Sequence, residues 1–228
     1  MRSYALHLRS INASSSLHTY CTAVLMSTQI RALTLTARDT SAESTITTVR
    51  VYQAYNEAIA KPAAKAGRFL PETTWSPRRM SWIKPSLVWM GYRCGWSLKD
   101  ENQACVLAID LHKHAFDQLL VEAVPADRAR EGDQLADVVV QWDPERELGG
   151  EPGRNAYTHP MHDVRSLQMG LRGAVGERFG NGEGVAAISN VTPLFRAIGD
   201  HLKNGNIDAA RALLPEETLY ALPVGCAI

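Results

Sequence analysis

The sequence predicts a single α+β domain built on a mixed, mostly antiparallel sheet packed by helices. Three observations lead there. Short β-branched or alternating stretches are interleaved with segments whose apolar residues recur at helical spacing. No internal repeat and no separating linker divides the chain. Its 228 residues, 45% hydrophobic and 21% charged, suffice for one sizeable core. Residues 28–223 are expected to form this domain, with 1–27 a poorly ordered or transit-like extension and 224–228 a tail.

Ile30–Leu35 reads as the first strand. Thr36–Thr48 is rich in Thr and Ser without helical period, which predicts a loop. Val49–Ala54 is β-branched and aromatic, hence a strand. Asn56 caps a helix over Glu57–Ala66, Gly67 stops it, and Pro62 would kink or shorten it. A helix from Pro85 to about Cys94, stopped by Gly95, follows from Pro at the first helical position. Val106–Leu111 is a compact apolar strand, and Phe116, Leu119, Leu120 and Ala123 mark a helix over about Lys113–Val124. Asp137–Trp142 is a strand that runs into Trp142-Asp-Pro-Glu-Arg146, where Asp-Pro suggests a turn. Arg165–Leu171 alternates, and Val185–Val191 is β-branched at both ends. Thr192 caps and Pro193 opens a helix that ends at Gly205, and a short helix covers Ile207–Leu214.

Net charge is zero, yet residues 1–100 carry 13 Lys/Arg against 5 Asp/Glu, and residues 101–228 carry 11 against 19. Either the halves interleave and the charges pair, or a basic face is left to steer an anion. The four cysteines are widely spaced with no CxxC pair, which excludes a zinc knuckle and a disulfide scaffold and points to a reducing, cytoplasmic setting. Met1–Arg38 lacks acidic residues and carries six serines by Ser27. That composition fits a mitochondrial transit peptide, or an extension ahead of a start at Met26. No stretch has the ~18 apolar residues of a membrane helix, so no membrane partner is expected.

The chemistry concentrates in Arg78–Trp96, which holds three of five tryptophans and four of the chain's Lys/Arg and no carboxylate. The helix start beside Lys84 and Ser86, with Arg79 before it and Arg93 near its end, is a candidate anion site, with phosphate the natural guest. Tyr52 and Tyr55 at a strand end are candidates to stack on or hydrogen-bond a ring, with Arg31 on the preceding strand. Glu145 is the candidate carboxylate for base chemistry or a ribose hydroxyl, and Arg165 and Gln168 lie on the next strand. His112, His114, His159 and His162 lack a third ligand, so no metal site is expected. There is no GxGxxG, P-loop or GxSxG elbow.

The blocks "VYQAYNEAIAKPAAKAGRF", "RRMSWIKPSLVWMGYRCGW", "VVVQWDPER", "RSLQMGL", "NVTPLFRAI" and "ARALLPEETLY" occur in order. Together they resemble the domain of unknown function 4291 family, from about Ile30 to Pro223. The resemblance implies a soluble intracellular protein of a family found in bacteria and fungi. It also marks two departures. The Thr-rich segment after Ile30-Arg-Ala is an insertion of the kind a retained intron or faulty gene model leaves, and Cys94 stands where serine is expected.

The function expected is an enzyme that binds a nucleotide or another phosphate-bearing ligand. In its sharpest form it is an NAD-dependent ADP-ribosyl or glycosyl transferase, by loose analogy with the order strand Arg, aromatic strand, late Glu. In that form Arg31 would grip the pyrophosphate, Tyr52 and Tyr55 the base, and Glu145 the ribose. A single-stranded nucleic-acid module, with tryptophans stacking bases, and a protein-interaction domain are the alternatives.

Overall fold

The computed structural model describes residues 27–39, 44–131, 134–151 and 153–228. The expectations for residues 1–26 therefore lie outside the described residues. In chain order the strands are β1 (Ser27–Gln29), β2 (Arg31–Ala32), β3 (Thr34–Asp39), β4 (Ser44–Tyr55), β5 (Ser81–Ile83), β6 (Cys105–His112) and β7 (Val124–Pro125). They continue as β8 (Arg130–Glu131), β9 (Gln134–Leu135), β10 (Val138–Leu148), β11 (Thr158–Leu171), β12 (Val185–Asn190) and β13 (Thr218–Leu219). The helices are α1 (Glu57–Ala66), α2 (Leu87–Cys94), α3 (Lys113–Glu122), α4 (Gly173–Gly180), α5 (Thr192–Lys203) and α6 (Ile207–Ala212).

The α+β class with mixed, mostly antiparallel strands is what the chain adopts, with the strands divided between two principal sheets. One runs β12-β6-β4-β3 and is antiparallel throughout. The other runs β1-β11-β10-β7, with β5 also on β11; its β1–β11 and β10–β7 pairs are parallel. A backbone bridge joins the two sheets. Past the end of β5, Lys84 pairs with Tyr52 of β4: the Tyr52 N–H donates to the Lys84 carbonyl at 2.7 Å, and the Lys84 N–H to the Tyr52 carbonyl at 3.0 Å.

The central strands are buried on both faces, and the period-2 alternation sorts their side chains into two cores. Val49, Val51 and Tyr55 of β4 join Leu107, Ile109 and Leu111 of β6 in the core shared with Val138, Met169 and α1, α3 and α4. Tyr52, Ala54, Val106 and Ala108 face the other way, toward α2, α5 and α6. On that second face Arg50 and Asp110 are register partners joined by two bonds, Nε to Oδ1 at 2.7 Å and Nη2 to Oδ2 at 2.8 Å.

Several expectations are corrected. Of the Thr-rich segment, the described residues 36–39 and 44–48 are strand and not loop: they belong to the antiparallel pair β3–β4, with Thr36 opposite Thr47, while residues 40–43 lie outside the described residues. Threonine is β-branched, and cross-strand pairing overrides the polar composition that suggested a loop. Ile30–Leu35 is not one strand, because β1, β2 and β3 each pair with a different partner, β11, β13 and β4. Residues 142–146 make no turn; β10 runs straight through them. Pro144 is accommodated because the register shifts between Pro144 and Arg146, where a missing N–H costs little. Pro85 does not open α2. Pairing to Tyr52 holds Lys84 extended, as the residue before proline prefers, so Ser86 becomes the N-cap and Leu87 the first helical residue. Thr192 does not cap α5; its hydroxyl accepts the Val106 N–H at 2.9 Å and ties α5 to β6.

α1 has the expected bounds and ends, with Asn56 accepting the Ile59 N–H and Gly67 closing the helix at φ 68°, but Pro62 lies inside it without shortening it. Gly95 likewise closes α2 at φ 59°. Trp96 then folds back into the second core, pressed so closely on Gly91 and Gly199 that a Cβ on either would meet it at 2.4 and 2.7 Å.

Candidate functional site

Where the two sheets meet, the chain leaves a cavity of about 610 Å³. This is within the usual size range for a small-molecule site. Its floor is the end of β4 with Gln53, Tyr55 and Asn56, and one wall is β5 with Trp82 and Lys84. A second wall is α2 with Trp89, Met90 and Arg93; Gln141 of β10 and Gln168 of β11 face in from the other sheet. Trp75 and Arg79 come from the segment before β5, and Asn102 and Gln103 from the turn before β6. The charged residues of this wall are Arg79, Lys84 and Arg93, and among the described residues no carboxylate lines it.

Lys84 is the most constrained of the three cations. It is 3% exposed, and its ammonium donates to the Trp82 carbonyl at 2.8 Å and lies 5.2 Å from the Trp89 ring centroid. Burial, and then the charge of Arg93, push its pKa down to about 7, while Asp143 acts the other way. Asp143 stands behind the amides. It accepts from Gln168 Nε2 at 2.5 Å and Gln141 Nε2 at 3.3 Å, and burial raises its pKa. These bonds fix the two amides that face the cavity.

Tyr55 reaches the cavity from the first core, stacking edge-on against Phe69 at 5.2 Å and sharing a hydrogen bond with Ser81. Phe69 in turn stacks on Trp75 at 4.9 Å and 15°. Gly180 makes room for that indole, since a Cβ there would meet the ring at 2.1 Å.

A second polar group lies at the start of α2. The Ser86 hydroxyl accepts the Trp89 N–H and donates to Glu145 Oε1 at 2.9 Å, and Glu145 also accepts the Arg146 N–H at 2.8 Å. The Leu87 N–H donates to Glu217 Oε1 at 2.7 Å. The helix N-terminus expected to receive an external anion is therefore held by the chain's own carboxylate. Burial raises the Glu217 pKa to about 8, the Leu87 bond opposes it, Glu145 adds to it and Arg31 opposes it. Arg146 lies flat on Tyr92, its guanidinium carbon 3.4 Å from the ring centroid.

Of the residues selected from sequence, the cavity brings together Tyr55, Arg79, Lys84, Arg93 and Gln168. Ser86 and Glu145 belong to the α2 cap, and Arg31 acts on Glu217 from β2. Tyr52 is 1% exposed and packs edge-on against Phe195 in the second core. Three residues apart on one strand, Tyr52 and Tyr55 face opposite ways. Arg165 sits beside Asp143, opposite Pro144 in the β10–β11 register. The grouping of Arg31, Tyr52 and Glu145 around one ligand is thus not the grouping the cavity wall presents.

Sequence reasoning missed Asn56, Asn102 and Gln103 as wall residues, and Glu217. The amides come from separate segments with no spacing to announce them. Glu217 did have a signal, since it lies in the conspicuous "LLPEETLY" block. No group of three His, Cys, Asp or Glu able to hold a metal occurs among the described residues. Among them, no helix is long and apolar enough to cross a membrane.

A family model described as Domain of unknown function (DUF4291) matches residues 39–220, most of the chain. No curated protein and no solved structure matches it.

Proposed function

The chain belongs to the family described as Domain of unknown function (DUF4291), and from that premise we propose that the cavity between its sheets binds an anionic small molecule carrying a planar ring, with a nucleotide as the natural class. The observation that carries this reading is a wall with three cations and no carboxylate, which favours an anion over a neutral or cationic guest. Trp82 and Trp89 offer ring faces, and Gln53, Asn56, Gln141 and Gln168 offer paired donors and acceptors suited to the edge of a base. Arg79 and Arg93 are exposed at the cavity, and their planar guanidinium forks suit the phosphates.

An NAD-type dinucleotide belongs to this class, and a transferase acting on one is the enzymatic form of the reading. The carboxylate nearest that site is Asp143, which stands behind Gln141 and Gln168 rather than on the wall, while Glu145 is engaged by Ser86 in the α2 cap. A pocket suits a mononucleotide or dinucleotide better than a nucleic-acid strand, and Trp96 is buried in the second core rather than displayed as a stacking platform.

The test is a thermal-shift series with AMP, ATP, NAD and pyrophosphate. A stabilising phosphate ligand whose affinity falls roughly tenfold in Arg79→Ala is the expected result, since one charge-assisted hydrogen bond contributes about 1.5–3 kcal/mol. Absence of any shift across the series contradicts the reading.

A further inference from the structure

This inference rests on the anion-binding reading above and concerns one atom of that cavity, the Lys84 nitrogen. A lysine buried for structural reasons ordinarily pairs with a carboxylate. Lys84 does not: among the described residues no Asp or Glu lies within ion-pair distance of it, and its hydrogen bond goes to the neutral carbonyl of Trp82. Its backbone is fixed on both sides, by the two bonds to Tyr52 and by Pro85. The side chain is 3% exposed, yet it lines a cavity of about 610 Å³.

We propose that Lys84 is a nucleophile that condenses with the carbonyl carbon of an anionic aldehyde or ketone bound in this cavity, forming an imine. Arg79 and Arg93 hold the anionic end, and Lys84 meets the carbonyl. The nitrogen lone pair forms the C–N bond as the carbonyl π pair moves to oxygen. A proton passes from nitrogen to that oxygen through water, giving a carbinolamine. Protonation of its hydroxyl releases water, and the nitrogen lone pair closes the C=N bond. No oxidant or reductant is consumed.

The environment favours the free amine this step needs. With its pKa pushed down to about 7, roughly half of Lys84 is unprotonated at neutral pH, against about one part in three thousand for a lysine at 10.5. A neutral amine still donates one N–H to Trp82, which leaves its lone pair available to the cavity.

The test uses the full chain with pyridoxal 5′-phosphate, an anionic aldehyde, at pH 7 with cyanoborohydride to reduce any imine. Peptide mapping then compares Lys84 with Lys61, Lys65, Lys99, Lys113 and Lys203. A parallel thermal shift with ATP reports the binding reading independently. The expected result is labelling of Lys84 at least roughly tenfold faster than the other five, slowed by ATP. Lys84→Arg is expected to lose that adduct while denaturant unfolding without ligand shows that it retains the fold. Labelling confined to the other lysines, with the ATP shift intact, overturns the nucleophile and leaves the binding site standing. Loss of both the Lys84 adduct and the ATP shift overturns both.

Discussion

Single side chains divide this molecule's polar groups into those that face a ligand and those that hold the chain. Lys84 immediately precedes the Pro85–Ser86 corner and Glu145 accepts from Ser86, yet the two do different work. Glu145 is 3% exposed and takes the Ser86 hydroxyl and the Arg146 N–H, while Lys84 lines the cavity. Glu145→Gln is therefore expected to leave ligand affinity within about a factor of two while lowering stability by about 1–2 kcal/mol, as read by titration and denaturant unfolding. A large loss of affinity in a stable Glu145→Gln protein would return that carboxylate to the binding site. Arg50 and Asp110 are the opposite case, a bidentate pair with side chains only 22% and 10% exposed in the centre of a sheet. Asp110→Ala leaves the guanidinium half-buried and unpaired, and is expected to cost about 3 kcal/mol by the same unfolding measurement. The residues legible in the sequence were those with local reasons. Lys84 stood out because three tryptophans and four basic residues crowd one acid-free stretch. Glu217 did not stand out as its neighbour, because 130 residues separate it from the Leu87 N–H it accepts.

At the scale of elements, α2 shows how local signals and long-range pairing combine. Its stop was readable because Gly95 supplies the left-handed conformation at φ 59°. Its start was misplaced by two residues because the sheet bridge to Tyr52 fixes Lys84 and carries the chain extended through Pro85. Ser86 therefore both caps the helix and holds Glu145, so Ser86→Ala is expected to cost about 2 kcal/mol, more than the ~1 kcal/mol of an ordinary cap. The β3–β4 pairing was hidden for a related reason. Thr and Ser read as loop when taken alone, and only the partner strand shows that Thr36 faces Thr47. α1, by contrast, carries its cap, its stop and its buried Ile59, Ala60 and Ala63 within its own length, and its bounds were read correctly to the residue.

For the molecule as a whole, two buried groups titrate in opposite senses across neutral pH. The Glu217 pKa is raised from 4.5 to about 8, so the folded state keeps a proton that the unfolded chain has released, and stability falls as pH rises through that window. The Lys84 pKa is lowered from 10.5 to about 7, so the unfolded chain binds the extra proton, and stability rises as pH climbs from about 7 toward 10.5. Denaturant unfolding at pH 5, 7.5 and 9.5 is expected to show a minimum at the middle value. Glu217→Gln should flatten the acidic limb, and Lys84→Met the basic one. The same arrangement, cations concentrated on a wall without carboxylates where two sheets join, underlies the functional reading. Its most direct measurement is calorimetric titration of ATP and of adenosine at low and moderate salt. The account predicts that ATP binds at least roughly tenfold more tightly than adenosine, with the difference shrinking as salt screens Arg79 and Arg93. Equal affinity for the two, or no binding of either, would contradict it.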